Sequence, residues 1–98
     1  MKLHELLTGF EVLQVLGNTD IEVTGIQSDS RRIEAGHVFV AQTGTTVDGH
    51  CFIAQCVERG ASAVVLDNPE YMPAQSEQVV YILVKSSDAE VLIYYFNL

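Results

Sequence analysis

VFVAQTGTTVDGHCFIAQCVERGASAVVL, residues Val38 to Leu66, holds two continuous apolar runs with a helical pattern between them. Val38-Phe39-Val40-Ala41 has no polar alternation, as expected of a strand covered on both faces. Gly44 to Gly49 is a loop bracketed by glycines. A helix opens at Asp48 or Gly49, runs through Cys51, Phe52, Ile53, Ala54, Cys56 and Val57, and closes with Gly60 at its C-terminal end. Ala61 to Leu66 follows as a second buried strand. Strand, helix and strand in this order are the unit of an α/β domain.

The same reading extends outward. Downstream, Asn68-Pro69 begins a polar connection to about Gln78, and Val79 to Val84 is another continuous apolar strand. Ser87-x-x-Glu90 has the form of a capping box for a last helix. Upstream, Leu3, Leu6, Leu7 and Phe10 recur at helical spacing and Gly9 stops the helix. Glu11 to Leu16 is mixed and compatible with a strand, Gly17 to Asp20 is a turn cluster, and Ile21, Val23 and Gly25 alternate as a half-buried strand. The fold class expected is α/β: a three-layer sandwich, with a mostly parallel or mixed sheet and helices on both faces.

The chain of 98 residues is the size of one domain, and its net charge of −8 opposes a nucleic-acid or anionic-membrane surface. No apolar run is long enough for a bilayer, and the first residues lack a signal-peptide core, so the expected location is the cytoplasm. Cys51 and Cys56 are five apart on one helix and face different ways, which predicts free thiols. Val91 to Phe96 is apolar on every side. It suits a buried helix or a strand, and in a domain ending there Leu92, Tyr95 and Phe96 would be exposed and open to self-association.

The chemistry-bearing residues cluster between Ser28 and His50. Ser28, Asp29 and Ser30 occupy a turn after a strand. There, hydroxyls can contact a ligand or simply bond the local backbone. Arg31 and Arg32 match phosphate oxygens or form a solvated surface. The loop from Gly44 to Gly49 offers Thr hydroxyls and backbone N–H groups to an anion, or only turn geometry. Asp48 and His50 alone give weak support for a metal or acid–base pair. His4 and His37 are expected at the surface. The pattern G-x-x-x-x-G-K-[ST] is absent, and neither Lys2 nor Lys85 follows a glycine.

These residues also carry a resemblance. Gly25-Ile26-x-x-Asp29-Ser30-Arg31, Ala35-Gly36-x-x-Phe39-Val40-Ala41, Gly44-x-x-x-Asp48-Gly49-His50-x-Phe52-Ile53 and Glu58-x-Gly60-Ala61-x-Ala63-Val64-Val65 occur in series. The series resembles the N-terminal domain of the Mur ligases, most closely the tripeptide synthetase (MurE) type. The likeness covers residues 1 to about 85, with His37 where the family usually has Asp, and fades over 86–98, an atypical C-terminal helix or tail.

The resemblance implies a domain that holds the UDP end of a UDP-MurNAc-dipeptide substrate, in a ligase that adds the third stem-peptide amino acid. The alternatives are the D-Ala-D-Ala-adding member of the family and a non-catalytic regulatory or adaptor domain. It further implies that Ser28, Ser30, Thr45, Thr46 and Val47 line the substrate site, with Asp29, Arg31, Asp48, Gly49 and His50 in support. No catalytic residue and no cofactor are expected in this chain. ATP and Mg2+ belong to the full-length ligase, through its missing central P-loop domain. A C-terminal domain would complete it.

Overall fold

Successive residues of a strand point to opposite faces, and here the parity sorts the apolar residues into two cores. The computed structural model describes residues 1–43, 47–76 and 78–96, the last two as backbone only. Its strands are β1 (Val12–Leu16), β2 (Gly25–Gln27), β3 (His37–Val40), β4 (Ala63–Leu66) and β5 (Val80–Val84), and its helices are α1 (Leu3–Leu6), α2 (Ile53–Glu58) and α3 (Ser86–Phe96). Val38, Val40, Ala63, Val65, Val80, Ile82 and Val84 pack with Leu3, Leu6, Leu7, Ala89 and Leu92 of α1, α3 and their flanks. Phe39, Ala41, Val64, Leu66, Val79 and Leu83 pack on the other side with Ile33, Ile53 and Cys56.

The sheet runs in the order β1-β5-β4-β3-β2. The β2–β3, β3–β4 and β4–β5 pairs are parallel, and β1 pairs antiparallel with β5. Each parallel crossover therefore adds the next strand on the same side. Right-handed crossovers stepping one way must all cross the same face. The residues agree: Ile33, Ile53 and Met72, one from each crossover, share a single cluster. The opposite face would be bare without α1 and α3. This is why the tail is apolar, and why it forms a helix rather than a strand. The α/β three-layer expectation is met, with a mixed sheet.

Several local expectations are corrected. The second strand is Gly25–Gln27 and not Ile21 to Gly25. Ile21 and Val23 alternate because this stretch lies beside the N-terminus: the Val23 N–H donates to the Met1 carbonyl at 2.8 Å, and Glu22 bridges Lys2. The helix at Gly49 opens with a 3-10 turn, Gly49–Phe52, before α2. The Ser87 capping box does not form. The Lys85 carbonyl already accepts from the Asp88 and Ala89 N–H groups, so Ser87 lies inside α3. Leu92 is fully buried, which removes it from any exposed tail surface; among the described side chains of α3, Val91 and Tyr94 are the exposed large apolar ones. Tyr95 and Phe96 lie outside the described side chains. His4 is exposed, but His37 is not a free surface residue: its side chain is only 15% exposed. Cys51 is exposed and Cys56 buried, both free, and burial pushes the Cys56 thiol up to about 11. No helix among the described residues is long and apolar enough to cross a membrane.

Candidate functional site

The crevice outside the carboxyl ends of parallel strands is where open α/β sheets bind ligands. Here β2 ends at Gln27 and β3 at Val40, and the segments that follow them form a cavity of about 680 Å³. That volume is in the range that takes a nucleotide-sized molecule. Ser28, Asp29, Ser30 and Arg31 form one wall, Gln42, Val47 and Gly49 another, and Phe52 and Gln55 of the following helical segment the third.

The first wall is a 3-10 turn, Ser30–Arg32, built by its own sequence. The Asp29 carboxylate caps the turn by accepting from the Arg31 N–H at 3.0 Å. The Arg31 guanidinium returns as a bidentate partner, with Nε and Nη2 each 3.0 Å from an Asp29 oxygen. The side-chain and backbone bonds from Arg31 hold the Asp29 carboxyl down at about 2, and the carboxylate raises Arg31 in turn. Arg59, at the end of α2, donates from Nη1 to the carbonyls of Ser30 at 3.2 Å and Arg31 at 2.9 Å. The turn is thus held from both sides, with Ser30 buried and Ser28 exposed at the cavity.

A carboxylate with a depressed folded-state pKa contributes stability above its ordinary value and loses it as pH falls. We therefore expect the Ser30–Arg32 turn to loosen between about pH 4 and about pH 2, where Asp29 takes up its proton. An NMR titration of the Arg31 amide and Nε–H signals should show a midpoint near the bottom of that window. A midpoint at the ordinary aspartate value would contradict the bidentate pairing.

The second wall follows β3. The Gly49 N–H donates to the Gln42 carbonyl at 2.9 Å, so the loop closes on itself at its neck. A Cβ on Gly49 would lie 3.1 Å from both the nitrogen and the oxygen of Gln42, a tight approach that a side chain makes only if the Gln42 backbone shifts by a few tenths of an ångström. Asp48 accepts from the His50 N–H at 3.0 Å, and its ring Nδ1 lies 2.7 Å from the same oxygen. These bonds lower the Asp48 carboxyl. Asp48 and His50 do not line the cavity.

The structure therefore brings Ser28, Asp29, Ser30, Arg31, Val47 and Gly49 together and sets Asp48 and His50 behind them. Thr45 and Thr46 lie outside the described residues. Gln42, Phe52 and Gln55 are lining residues that sequence reasoning missed. Their signal was present: Phe52 and Gln55 are three apart, which puts them on one helical face, and Gln42 directly follows an apolar strand.

Topology and wall together define an α/β domain with a polar-walled cavity at the carboxyl ends of its parallel strands. The chain belongs to the Mur ligase family: the model for "Mur ligase family, catalytic domain" matches residues 22–94. It is 46% identical over 89 residues to a UDP-N-acetylmuramoyl-L-alanyl-D-glutamate–2,6-diaminopimelate ligase of Bacteroides fragilis, covering 90% of this chain and 18% of that protein. It is 39% identical over 80 residues to the corresponding L-lysine ligase of Staphylococcus haemolyticus, covering 82% and 16%. The chain thus spans about a fifth of the length of the curated relatives it matches. Among solved structures, its fold is similar to the D-alanyl-D-alanyl ligase of Acinetobacter baumannii, with a TM-score of 0.70 at 23% identity, covering 98% of this chain and 21% of that one.

Proposed function

We propose that this chain is the substrate-holding part of a UDP-N-acetylmuramoyl-L-alanyl-D-glutamate ligase, with residues 1–85 as the binding domain and 86–98 as an atypical C-terminal segment that holds the helix Ser86–Phe96. The observation that carries this reading is the single cavity wall made by Ser28, Asp29, Ser30 and Arg31 opposite Val47 and Gly49. Two of the motifs shared with the family, far apart in sequence, meet there.

The chemistry of the lining suits the UDP end of a nucleotide sugar. Uracil has two carbonyl acceptors and one N–H donor, and the primary amides of Gln42 and Gln55 supply both complements. Phe52 offers an aromatic face. Ser28 and Ser30 offer hydroxyls to the uridine part, as the family resemblance implies. Arg31 keeps outer N–H groups free beside its bond to Asp29 and adds positive charge in an acidic chain. Thr45, Thr46 and Val47 belong to the same proposed site. The resemblance to both a diaminopimelate and a lysine ligase across this segment supports assigning choice of the incoming amine to the remainder of the protein.

On this reading ATP and Mg2+ are held by the remainder of a full-length ligase. Lys2 is paired with Asp20 and Lys85 with Glu11, away from the cavity. Among the described residues no group of three His, Cys, Asp or Glu side chains could hold a metal ion. Activation of the substrate carboxylate is assigned, on the same reading, to the other domains of a full-length ligase acting in the cytoplasm.

Calorimetric titration with UDP-MurNAc-L-Ala-D-Glu tests the proposal. Saturable one-site binding is expected, and Ser30→Ala should weaken it about tenfold by removing a hydrogen-bonding group. Absence of heat and of competition at millimolar ligand, in a folded sample, would contradict it and favour the adaptor reading.

A further inference from the structure

The loop wall of the cavity is held by a residue that never reaches the cavity. His50 is 1% exposed, more buried than Ser30, the other buried polar residue among those described. Its Nε2 accepts from the N–H groups of Asp67 at 3.3 Å and Asn68 at 3.1 Å, just past the end of β4. A nitrogen that accepts two amides carries no proton, so the ring proton sits on Nδ1 and is donated to Asp48 at 2.7 Å. The Tyr71 ring covers the imidazole at 5.1 Å between centroids.

Asp67 is also the anchor for the other end of the loop. The Thr43 hydroxyl donates to Asp67 Oδ1 at 2.9 Å, and that same oxygen lies 3.3 Å from His50 Nε2. The Asp67 side chain is only 2% exposed. Thr43 on one side and Asp48-Gly49-His50 on the other are therefore tied to one point at the end of β4. Val47 and Gly49, next to and within the second tie, line the cavity, whereas His50 does not.

We propose that His50 is a positioning residue for the ligand cavity: by accepting from the Asp67 and Asn68 amides, its Nε2 sets where the Val47–Gly49 wall stands. The proposal rests on the cavity being the nucleotide-sugar site. It assigns His50 a role through Val47 and Gly49, with no contact to ligand.

Three variants separate the two ends of the ring. His50→Gln can place a carbonyl acceptor near the Nε2 position, whereas His50→Asn keeps a donor near Nδ1 and loses the acceptor. His50→Ala loses both. Leu92→Ala, on the opposite face of the sheet, serves as a variant that lowers stability without touching the loop. Calorimetry with UDP-MurNAc-L-Ala-D-Glu on folded protein should show Kd raised about tenfold in the Asn and Ala variants and restored to within about threefold in the Gln variant. Leu92→Ala should leave Kd unchanged. Equal Kd in wild type and His50→Ala, equal loss in the Gln and Asn variants, or equal loss in Leu92→Ala would each overturn the proposal.

Amide hydrogen exchange gives a readout that needs no ligand. The Gly49 N–H, bonded to Gln42, should exchange at least about tenfold faster in His50→Asn than in wild type, while the β3 and β4 amides stay protected. If wild type binds no nucleotide sugar, the reading of the cavity falls, and unchanged Gly49 exchange would then overturn the positioning role separately.

Discussion

Phe39→Ala should cost about 3–5 kcal/mol of unfolding free energy, the largest loss expected from any single side-chain truncation in this domain. Phe39 is fully buried and is the largest side chain of the core. It sits in the middle of β3, in register with Gln27 on one side and Val64 on the other. Its face of the sheet is the one that all three crossovers cover, so its neighbours Ile33, Ile53 and Cys56 come from separate segments that cannot collapse together into the gap. A domain of this size has total stability on the order of 5–15 kcal/mol, so the variant should be close to unfolding at room temperature. Urea denaturation should show a lower midpoint with an unchanged slope. Leu13→Ala, half-exposed on the edge strand, should change stability by less than about 0.5 kcal/mol. Similar losses for the two variants would contradict the two-face packing.

Gly60→Val should cost about 3 kcal/mol and disturb the cavity from a distance. Gly60 has φ of +100°, in the left-handed region that a β-branched residue enters only with strain. Its position is that of the residue after a helix cap. The Ala61 N–H bonds the Cys56 carbonyl and the Gly60 N–H bonds Val57, each at 3.1 Å, which is the Schellman closure of α2. A Cβ would also lie 3.2 Å from the Ala35 Cα, a backbone atom that cannot swing away. The preceding residue is Arg59, whose guanidinium holds the carbonyls of Ser30 and Arg31. We expect a lowered thermal midpoint together with shifted amide signals at Ser30 to Arg32. Gly60→Ala should show both effects in smaller degree, since it adds strain at φ without the branched side chain.

The parallel core was legible because β3, β4 and β5 are continuous apolar runs, and a strand buried on both faces has no other composition available. The helix between β3 and β4 was legible from Gly60, whose left-handed φ only glycine adopts easily. What escaped depends on partners distant in sequence. The Ile21–Val23 alternation is real, but it answers to Met1 and Lys2 and not to the parallel ladder. His50 gave no sign of burial because Asp67 and Asn68, which satisfy it, lie 17 and 18 residues away. Leu92 looked exposed because the face it covers is left bare by crossovers that all pass on the other side. In the site, Ser28 to Arg31 could be read from a local turn. Gln42, Phe52 and Gln55 became visible only once the end of β3 and the start of α2 were set beside that turn.

On the proposed function, the turn after β2 and the loop after β3 form one site for the UDP end of a nucleotide sugar. Amide NMR of the chain titrated with UDP-MurNAc-L-Ala-D-Glu tests it most directly. The account predicts saturable shifts confined to Ser28 to Arg31, Gln42, Val47 to Gly49, Phe52 and Gln55, with UDP alone reproducing most of them. Shifts centred instead on Val91 and Tyr94, or none at saturating ligand in a folded sample, would contradict it.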